Sequence, residues 1–220
     1  MKILRILLDR EIERLKLLDL DEESGIESAL DMMNESPYML TLHGLERYNF
    51  KVLLNDNKRQ FYGFKENDQS SKNMMFYLST IHPTTTFTYI KAQQFFHRND
   101  LGYMEMEYLL RNYFGKFEKN VGVTRTIRWN DEGIPSFALS LTCRKSEYSQ
   151  VVARHVFQLD GLTKREDETF SKLISGLSNS EIAHQLGISE RTVEKHVSSI
   201  LKQSGLKNRA ALFASLNQSL

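Results

Sequence analysis

Apolar residues recur at helical spacing over residues 1–36 of the chain. The positions that fall near one face of this stretch are Leu4, Leu8, Ile12, Leu15 and Leu18. Such a stripe predicts an amphipathic helix that covers a neighbouring sheet, and pairing of two copies through it is an alternative. Charged residues interrupt the apolar start well before the roughly 20 residues that a membrane span requires. We therefore expect a helical extension at residues 1–36 and no contact with a membrane.

Residues 37–146 change to short runs rich in aromatic and β-branched residues, a pattern typical of strands. Polar stretches at Asn55–Lys58 and Lys65–Asp68 predict turns between these runs. Pro83 is followed by three threonines whose hydroxyls are suitable helix caps. We therefore expect a helix after this proline that reaches about Arg98.

Alternation of apolar and polar residues is clearest in the second half of this region. In GYMEMEYLLRN one face holds Met104, Met106, Tyr108 and Leu110, which we interpret as the core side of a half-buried strand. The stretch VGVTRTIRW-NDEG-IPSFALSLTC has the pattern of a hairpin. Residues 37–146 are thus expected to form an α+β domain, an antiparallel sheet with flanking helices.

Residues 161–220 are helical throughout in pattern and follow a linker at residues 147–160. A hydroxyl residue precedes a glutamate by three positions at two helix starts, which is capping-box spacing. These pairs are Thr163 with Glu166 and Ser178 with Glu181. Gly187 suits a left-handed turn, and Ser189 and Asn208 are suitable caps for the next two helices. The pattern predicts an all-α, four-helix helix-turn-helix domain.

The third of these helices has an apolar and a polar side when it is drawn at about 100 degrees per residue. The apolar side, which must pack on other helices, holds Val193, Val197, Ile200 and Leu201. The polar side offers Arg and Lys for guanine edges and phosphates, with hydroxyls and a carboxylate for other base edges. The candidate DNA-binding residues are Ser189, Arg191, Thr192, Glu194, Lys195, Ser198, Ser199, Lys202 and Arg209. By spacing alone, the solvated face of a small helical bundle is an equal alternative.

Composition adds two constraints. The chain has 29 basic and 28 acidic residues and a net charge of +1, so any surface that binds nucleic acid must be local. The single cysteine, Cys143, excludes an internal disulfide and a cysteine-rich zinc site, and it suits a reducing cytoplasm.

Motifs for catalysis and for cofactors are missing from the sequence. It has no nucleophile elbow, Gly-rich phosphate loop or metal motif, so we expect no enzyme and predict no metal and no cofactor. His82 and His97 do not indicate a haem or metal site, and we interpret His82 as a hydrogen-bonded turn residue. His184 is interpreted as a surface residue and His196 as mainly structural.

The C-terminal pattern closely resembles the LuxR-type helix-turn-helix. The residues that carry the resemblance are Leu162-Thr163, Arg165-Glu166, Gly176, Ser178-Asn179, Glu181-Ile182-Ala183, Leu186-Gly187-Ile188-Ser189, Thr192-Val193, His196 and Asn208-Arg209-Ala210. The resemblance implies that the helix from Glu190 enters the major groove of double-stranded DNA. It also implies that Glu194, Lys195 and Ser198 face bases.

The same resemblance implies a homodimer that pairs through the last helix. The apolar side of that helix would be exposed to water unless a second copy covered it. Its residues are Leu212, Phe213 and Leu216. One departure from the family pattern is Gln203-Ser204, which stands where Lys-Leu is usual. The loss of a basic and an apolar residue there predicts modest affinity for DNA.

Residues 37–146 resemble a PAS-type sensor domain. In stretches 76–96, 102–112 and 124–146 an Ile-His-Pro step opens a helix, a Glu-bearing strand follows, and a hairpin with a Gly turn closes the sheet. Thr84 and Thr85 replace the acidic residues that are common in that family. The resemblance implies a domain that senses a signal or mediates dimerisation. The sequence does not indicate which ligand such a domain binds.

Together these features predict a cytoplasmic, one-component transcription regulator with a PAS-like α+β domain before a LuxR-type DNA-binding domain. Double-stranded DNA and a second copy of the chain are the expected partners, and RNA polymerase is a further candidate. An acyl-homoserine-lactone-type regulator is an alternative, although Trp129 is the only tryptophan where such pockets use several. A PAS-like domain with enzymatic activity is a weaker alternative.

Overall fold

The computed structural model of the chain describes residues 1–45, 52–64, 79–97, 101–159 and 161–219. Their contacts divide the chain into two compact units, Met1–Ser146 and Glu147–Leu220. The turn predicted at Lys65–Asp68 lies outside the described residues. The finer division into extension, sensor, linker and DNA-binding domain stays a prediction.

The first unit is an antiparallel sheet with helices. Its helices are α1 (Lys2–Leu15), α2 (Glu23–Asn34), α3 (Asp56–Tyr62) and α4 (Thr86–His97), the last preceded by a 3-10 turn at Pro83–Thr85. Its strands are β1 (Met39–Gly44), β2 (Val52–Leu54), β3 (Met104–Arg111), β4 (Phe117–Trp129) and β5 (Pro135–Arg144). All pairs are antiparallel, in the order β2-β1-β5-β4-β3. The predicted α+β class, the helix after Pro83 and the closing hairpin are confirmed.

The N-terminal stretch forms two helices where the apolar pattern predicts continuous helix. The α1 helix packs across β4 and β5 and buries Leu4, Leu8 and Leu15, so it covers the sheet as expected. After α1, the guanidinium of Arg128 on β4 donates to the carbonyl oxygens of Lys16 at 2.6 Å and Leu18 at 3.0 Å. These bonds hold backbone carbonyls that the helix leaves without a partner, and the chain turns back into α2.

The segment predicted as a turn at Asn55–Lys58 is instead the start of α3. The amide oxygen of Asn55 accepts the backbone N–H of Lys58 at 3.2 Å, which is a helix N-cap, and that of Leu40 at 2.9 Å. Its amide nitrogen donates to the carbonyls of Met33 at 2.9 Å and Tyr38 at 2.8 Å. The turn prediction is wrong because this buried side chain joins α2, β1 and α3, and such partners are distant in sequence.

A cavity lies between the sheet and α4, on the side that β3 presents inward. Its volume is about 70 Å³. The inward stripe of β3 lines this cavity, and it consists of Met104, Met106, Tyr108 and Leu110. Among these four, only Leu110 is fully buried. The stripe is part of the core, as predicted, and it also borders this cavity. Leu110 is buried in an apolar cluster with Tyr108 packed against it, and Met104 and Met106 pack against a second cluster that contains residues of α4.

The second unit is all-α, as predicted. It consists of α5 (Tyr148–Phe157), α6 (Lys164–Ile174), α7 (Asn179–Leu186), α8 (Glu190–Gln203) and α9 (Arg209–Ser219). The α5 helix lies in the predicted linker, packs on α6 and α9, and buries Val152, Ala153 and Phe157. Within the described ranges, no helix is long and apolar enough to cross a membrane.

Candidate nucleic-acid interface

The orientation of α8 is fixed by the turn that precedes it. Ser178 and Glu181 form a capping box at the start of α7, and Gly187 ends that helix in the left-handed region with φ of 64°. The Ser189 hydroxyl oxygen then accepts the backbone N–H of Thr192 at 3.1 Å and caps α8. A residue with a Cβ is strained at such a φ, so glycine permits the tight turn between the two helices.

The two sides of α8 differ as the helical pattern predicts. Val193, Val197 and Ile200 are buried against α6 and α7. Five predicted DNA-binding residues are exposed on the other side, and we call them the α8 outer face: Arg191, Glu194, Lys195, Ser198 and Lys202.

The α8 outer face carries positive charge that is not neutralised within the protein. Among the described residues, no carboxylate forms an ion pair with Arg191, Lys195 or Lys202. Exposed guanidinium and ammonium groups on one helix face are suited to phosphates and to guanine edges.

Three predicted DNA-binding residues at the edge of α8 already have partners inside the domain. Ser189 and Thr192 hold the N-terminus of the helix, and their hydroxyl oxygens are 2.8 Å apart. The hydroxyl of Ser199 bonds the carboxylate of Glu166 and is the main cause of the lowered pKa of that group, with Thr163 contributing further. These half-buried or capping hydroxyls position α8, and a contact with DNA by any of them stays a prediction.

The sequence of this region matches known proteins. A family model described as bacterial regulatory proteins of the luxR family matches residues 160–215. The C-terminal domain is a LuxR-type domain. The spore germination protein GerE of Bacillus subtilis is 45% identical over 49 residues, which are 22% of this chain and 66% of that protein. Longer relatives named as transcriptional regulatory proteins also match, and this chain spans 27–33% of their length.

Two solved structures are similar over more of the chain. The crystal structure of the phage VqmA-DPO complex covers 90% of this chain and 90% of its own, with 16% identity and a TM-score of 0.41. A LOV protein of Rhodobacter sphaeroides covers 76% of this chain and 92% of its own, with 11% identity and a TM-score of 0.46.

Arg209 has a structural position in the LuxR-type domain. Its guanidinium donates to the carbonyl oxygen of Leu177, between α6 and α7, and lies over the ring of Phe213, with 5.5 Å to the centroid. It therefore links the start of α9 to the α6–α7 loop. A guanidinium has five N–H donors, so a phosphate contact from the same group stays a prediction.

The last helix of the LuxR-type domain does not need a partner to cover its leucines. Leu212 and Leu216 are buried within their own unit, where α9 packs on α5, and Phe213 is half-buried beneath Arg209. The expectation that these residues require cover from a second copy is wrong, because the sequence pattern does not reveal that α5 occupies this surface.

His82 and His184 have the positions that the sequence predicts for them. The Nδ1 atom of His82 lies 2.7 Å from the hydroxyl oxygen of Thr84, which is the turn role predicted for it. His184 is exposed, and the side chain of His97 lies outside the described residues. In the part of the chain that the structure describes, no group of three His, Cys, Asp or Glu side chains could hold a metal ion.

The sequence interpretation missed a row of polar side chains on the inward face of the sheet. The row crosses three neighbouring strands, since Thr41 is paired with Ser140 and Ser140 with Thr124. His43 and Thr142 lie beside it, and all five line the cavity. The available signal was the repeated spacing Thr-x-His on β1 and Ser-x-Thr on β5, where inward positions are normally apolar.

Proposed function

We propose that the chain is a sequence-specific transcription regulator that binds double-stranded DNA through the α8 outer face. The observation that carries the proposal is the unpaired positive charge of this face on a helix whose opposite side is fixed in the core. Such a helix can be held rigidly in a major groove while its outer side chains read base edges.

The proposal gives different roles to different residues of the α8 outer face. Lys195 lies near its centre, where an ammonium group can reach a guanine edge. Glu194 and Ser198 flank it and can bond the amino group of cytosine or other base edges. Arg191 and Lys202, towards the two ends, have the reach for backbone phosphates.

We further propose that two copies bind together at half-sites about one helical turn apart, because one helix contacts only a few base pairs. The N-terminal α+β domain is proposed to act as a PAS-like sensor whose cavity receives the signal. As part of the same proposal, the protein acts in the cytoplasm and contacts RNA polymerase.

The test uses the full chain and two DNA duplexes of equal length. One duplex is the operator recovered by genome-wide binding of the purified protein, and the other has the same bases in scrambled order. We expect Lys195→Ala to weaken operator binding by about 5-fold to 150-fold and binding to scrambled DNA much less, because only base contacts discriminate. Fluorescence anisotropy gives both affinities.

Lys116→Ala is the matched control, since Lys116 is an exposed lysine of the other unit. We expect this variant to bind both duplexes as the parent does.

The affinity of the parent for either duplex should also fall steeply as salt rises. If Lys195→Ala weakens binding to both duplexes by the same factor, Lys195 does not contact bases. If the affinity of the parent does not change with salt, the proposed DNA interface is contradicted.

A further inference from the structure

A groove lies between the end of α1 and β4, on the opposite face of the sheet from the cavity over β3. Side chains alternate between the two faces of a strand. Thr124 lines the cavity, and the next residue, Arg125, pairs with Asp9 of α1, with 2.9 Å between Nη1 and Oδ1. The volume of this α1–β4 groove is about 210 Å³. The groove is therefore separate from the cavity.

An irregularity in β4 builds the basic wall of the α1–β4 groove. With regular alternation, Arg125 and Arg128 would lie on opposite faces of the sheet, because they are three positions apart. The pairing of β4 with β5 shifts in register between Thr126 and Arg128, and again between Arg128 and Trp129. Arg128 therefore reaches the same side as Arg125, where it donates to backbone carbonyls just after α1. Bulges often re-aim a side chain in this way beside a functional site.

The guanidinium of Arg128 is held in place but is not neutralised. It donates to the carbonyl oxygens of Ile127 at 3.2 Å, Lys16 at 2.6 Å and Leu18 at 3.0 Å. Of the residues that the structure describes, no carboxylate forms an ion pair with Arg128. A guanidinium has five N–H donors, and these bonds use only part of them. A cation that is already oriented and still has donors favours an anionic ligand.

The other charges around the α1–β4 groove limit the charge of such a ligand. Arg125 is paired with Asp9, and the ammonium group of Lys16 lies 3.4 Å from the carboxylate of Glu13. The carboxylates of Asp9 and Glu13 would repel a second negative charge. A carboxylate carries one charge and accepts N–H bonds from a guanidinium, so it suits this site better than a phosphate dianion does.

Apolar side chains form the rest of the α1–β4 groove. Leu15 and Ile127 are buried at its walls, and Ile12 is half-buried. Trp129 also lines the groove and has 38% of its surface exposed, so its indole offers a flat apolar face to an aromatic ring. An apolar cavity of roughly 150 Å³ holds benzene, so about 210 Å³ is enough for a ring with a short side chain.

We infer that the α1–β4 groove binds a small aromatic carboxylate, with its carboxylate on Arg128 and its ring against Trp129. The apolar walls and the single unneutralised guanidinium together define this class of ligand. The inference is independent of the proposed DNA interface, because it concerns the face of the sheet that α1 covers.

The fluorescence of Trp129 reports on the α1–β4 groove, because this residue is the only tryptophan of the chain. Two probes of the same shape test the charge requirement on the full chain. They are 3-phenylpropionate and its uncharged amide, 3-phenylpropionamide. We expect both to change the fluorescence in a saturable way. The carboxylate should bind about 10-fold or more tightly than the amide, because a hydrogen bond between two charged groups is stronger.

Variants of two arginines separate recognition from folding. Arg128→Gln removes the charge and should abolish the preference for the carboxylate. Arg128→Lys keeps the charge and should retain part of that preference. Arg10→Gln is the matched control, since Arg10 is an exposed arginine of α1 that does not line the groove. It should bind both probes as the parent does, and circular dichroism shows whether each variant is folded.

Equal affinity of the parent for the two probes, or no saturable change of fluorescence with either probe, would overturn the inference. A folded Arg128→Gln variant that keeps the full preference of the parent would overturn it as well. If Arg128→Gln does not fold, the comparison of the two probes on the parent still decides, because that comparison requires no variant.

Discussion

The two units differ in where their polar side chains lie, outside on α8 and inside on the sheet. In the LuxR-type domain, α8 turns Arg191 and Lys195 to solvent and keeps an apolar face inward. In the N-terminal unit, the sheet turns Thr124 and Ser140 inward, where they bond each other. Charge is stable where water solvates it, and neutral hydroxyls are stable in the interior once they are paired. The LuxR-type domain therefore presents charge to solvent, whereas the N-terminal unit keeps neutral, paired hydroxyls inside.

The units also differ in the buried groups that titrate. His43 in the N-terminal unit is neutral in the folded state because burial lowers its pKa to about 4. In the LuxR-type domain, the hydrogen bond from Ser199 and those from Thr163 lower the pKa of Glu166 below its ordinary value of 4.5. Acid should therefore destabilise the two units over different ranges of pH.

Phe170→Ala should give the largest effect and separates the units. Phe170 is fully buried in α6, so we expect the loss of about 3–5 kcal/mol of unfolding free energy from the LuxR-type domain. Circular dichroism of a fragment of residues 147–220, which lacks the helices of the first unit, reports this transition. The only tryptophan, Trp129, is on β4 and reports the other unit through its fluorescence. A parallel shift of the Trp129 transition would contradict independent stability of the two units.

Acid should then weaken the N-terminal unit first. His43 has an unfolded pKa near 6.5 and a folded pKa of about 4, so the unfolded chain takes up the proton first. The contribution of His43 to stability is fully present above pH 6.5 and decreases by roughly 3 kcal/mol as the pH drops towards 4. Urea titrations followed by Trp129 fluorescence measure it. The control His43→Gln should show a flatter dependence over this range, and an unchanged slope would exclude His43 as the cause.

In the LuxR-type domain, acid should begin to lower the free energy of unfolding at a lower pH than in the N-terminal unit. Glu166 has a folded pKa below 4.5, so its contribution is present above about pH 4.5 and is lost as the pH falls further. At pH 5.5 we therefore expect a measurable decrease for the Trp129 transition and none from Glu166 for the helical transition.

Removal of α5 should have an intermediate effect. We expect a fragment of residues 147–220 to be about 2–3 kcal/mol more stable than one of residues 161–220, because α5 buries Val152 and Phe157. Thermal unfolding of the two fragments measures the difference. Both should retain salt-dependent DNA binding, and equal stability would show that α5 contributes nothing to the core.

Arg209→Ala should give the smallest effect, near 1 kcal/mol. The variant loses the bond to the Leu177 carbonyl and the predicted phosphate contact, so it should bind operator and scrambled DNA more weakly by similar factors. The slope of affinity against salt should decrease by about one unit. An unchanged slope together with a lower melting temperature would leave Arg209 a structural role only.

The sequence by itself determined most of the LuxR-type domain, because its signals are local. The capping boxes at Thr163 and Ser178 are confirmed, as are the turn at Gly187 and the buried side of α8. Each depends on residues within about four positions along the chain, and such short-range patterns are visible in the sequence. The alternation on β3 and the hairpin of β4 and β5 were predictable for the same reason.

Only the tertiary structure decided the features that join distant segments. Asn55 starts a helix because its amide also bonds Met33 and Leu40. The strand alternation places Met104 in the core, but it cannot show that the core borders a cavity there. Arg209 lies against Leu177 because α9 returns to the α6–α7 loop. In each case the deciding partner is far away in sequence. Its contribution exists only after folding brings the segments together, so no local pattern records it.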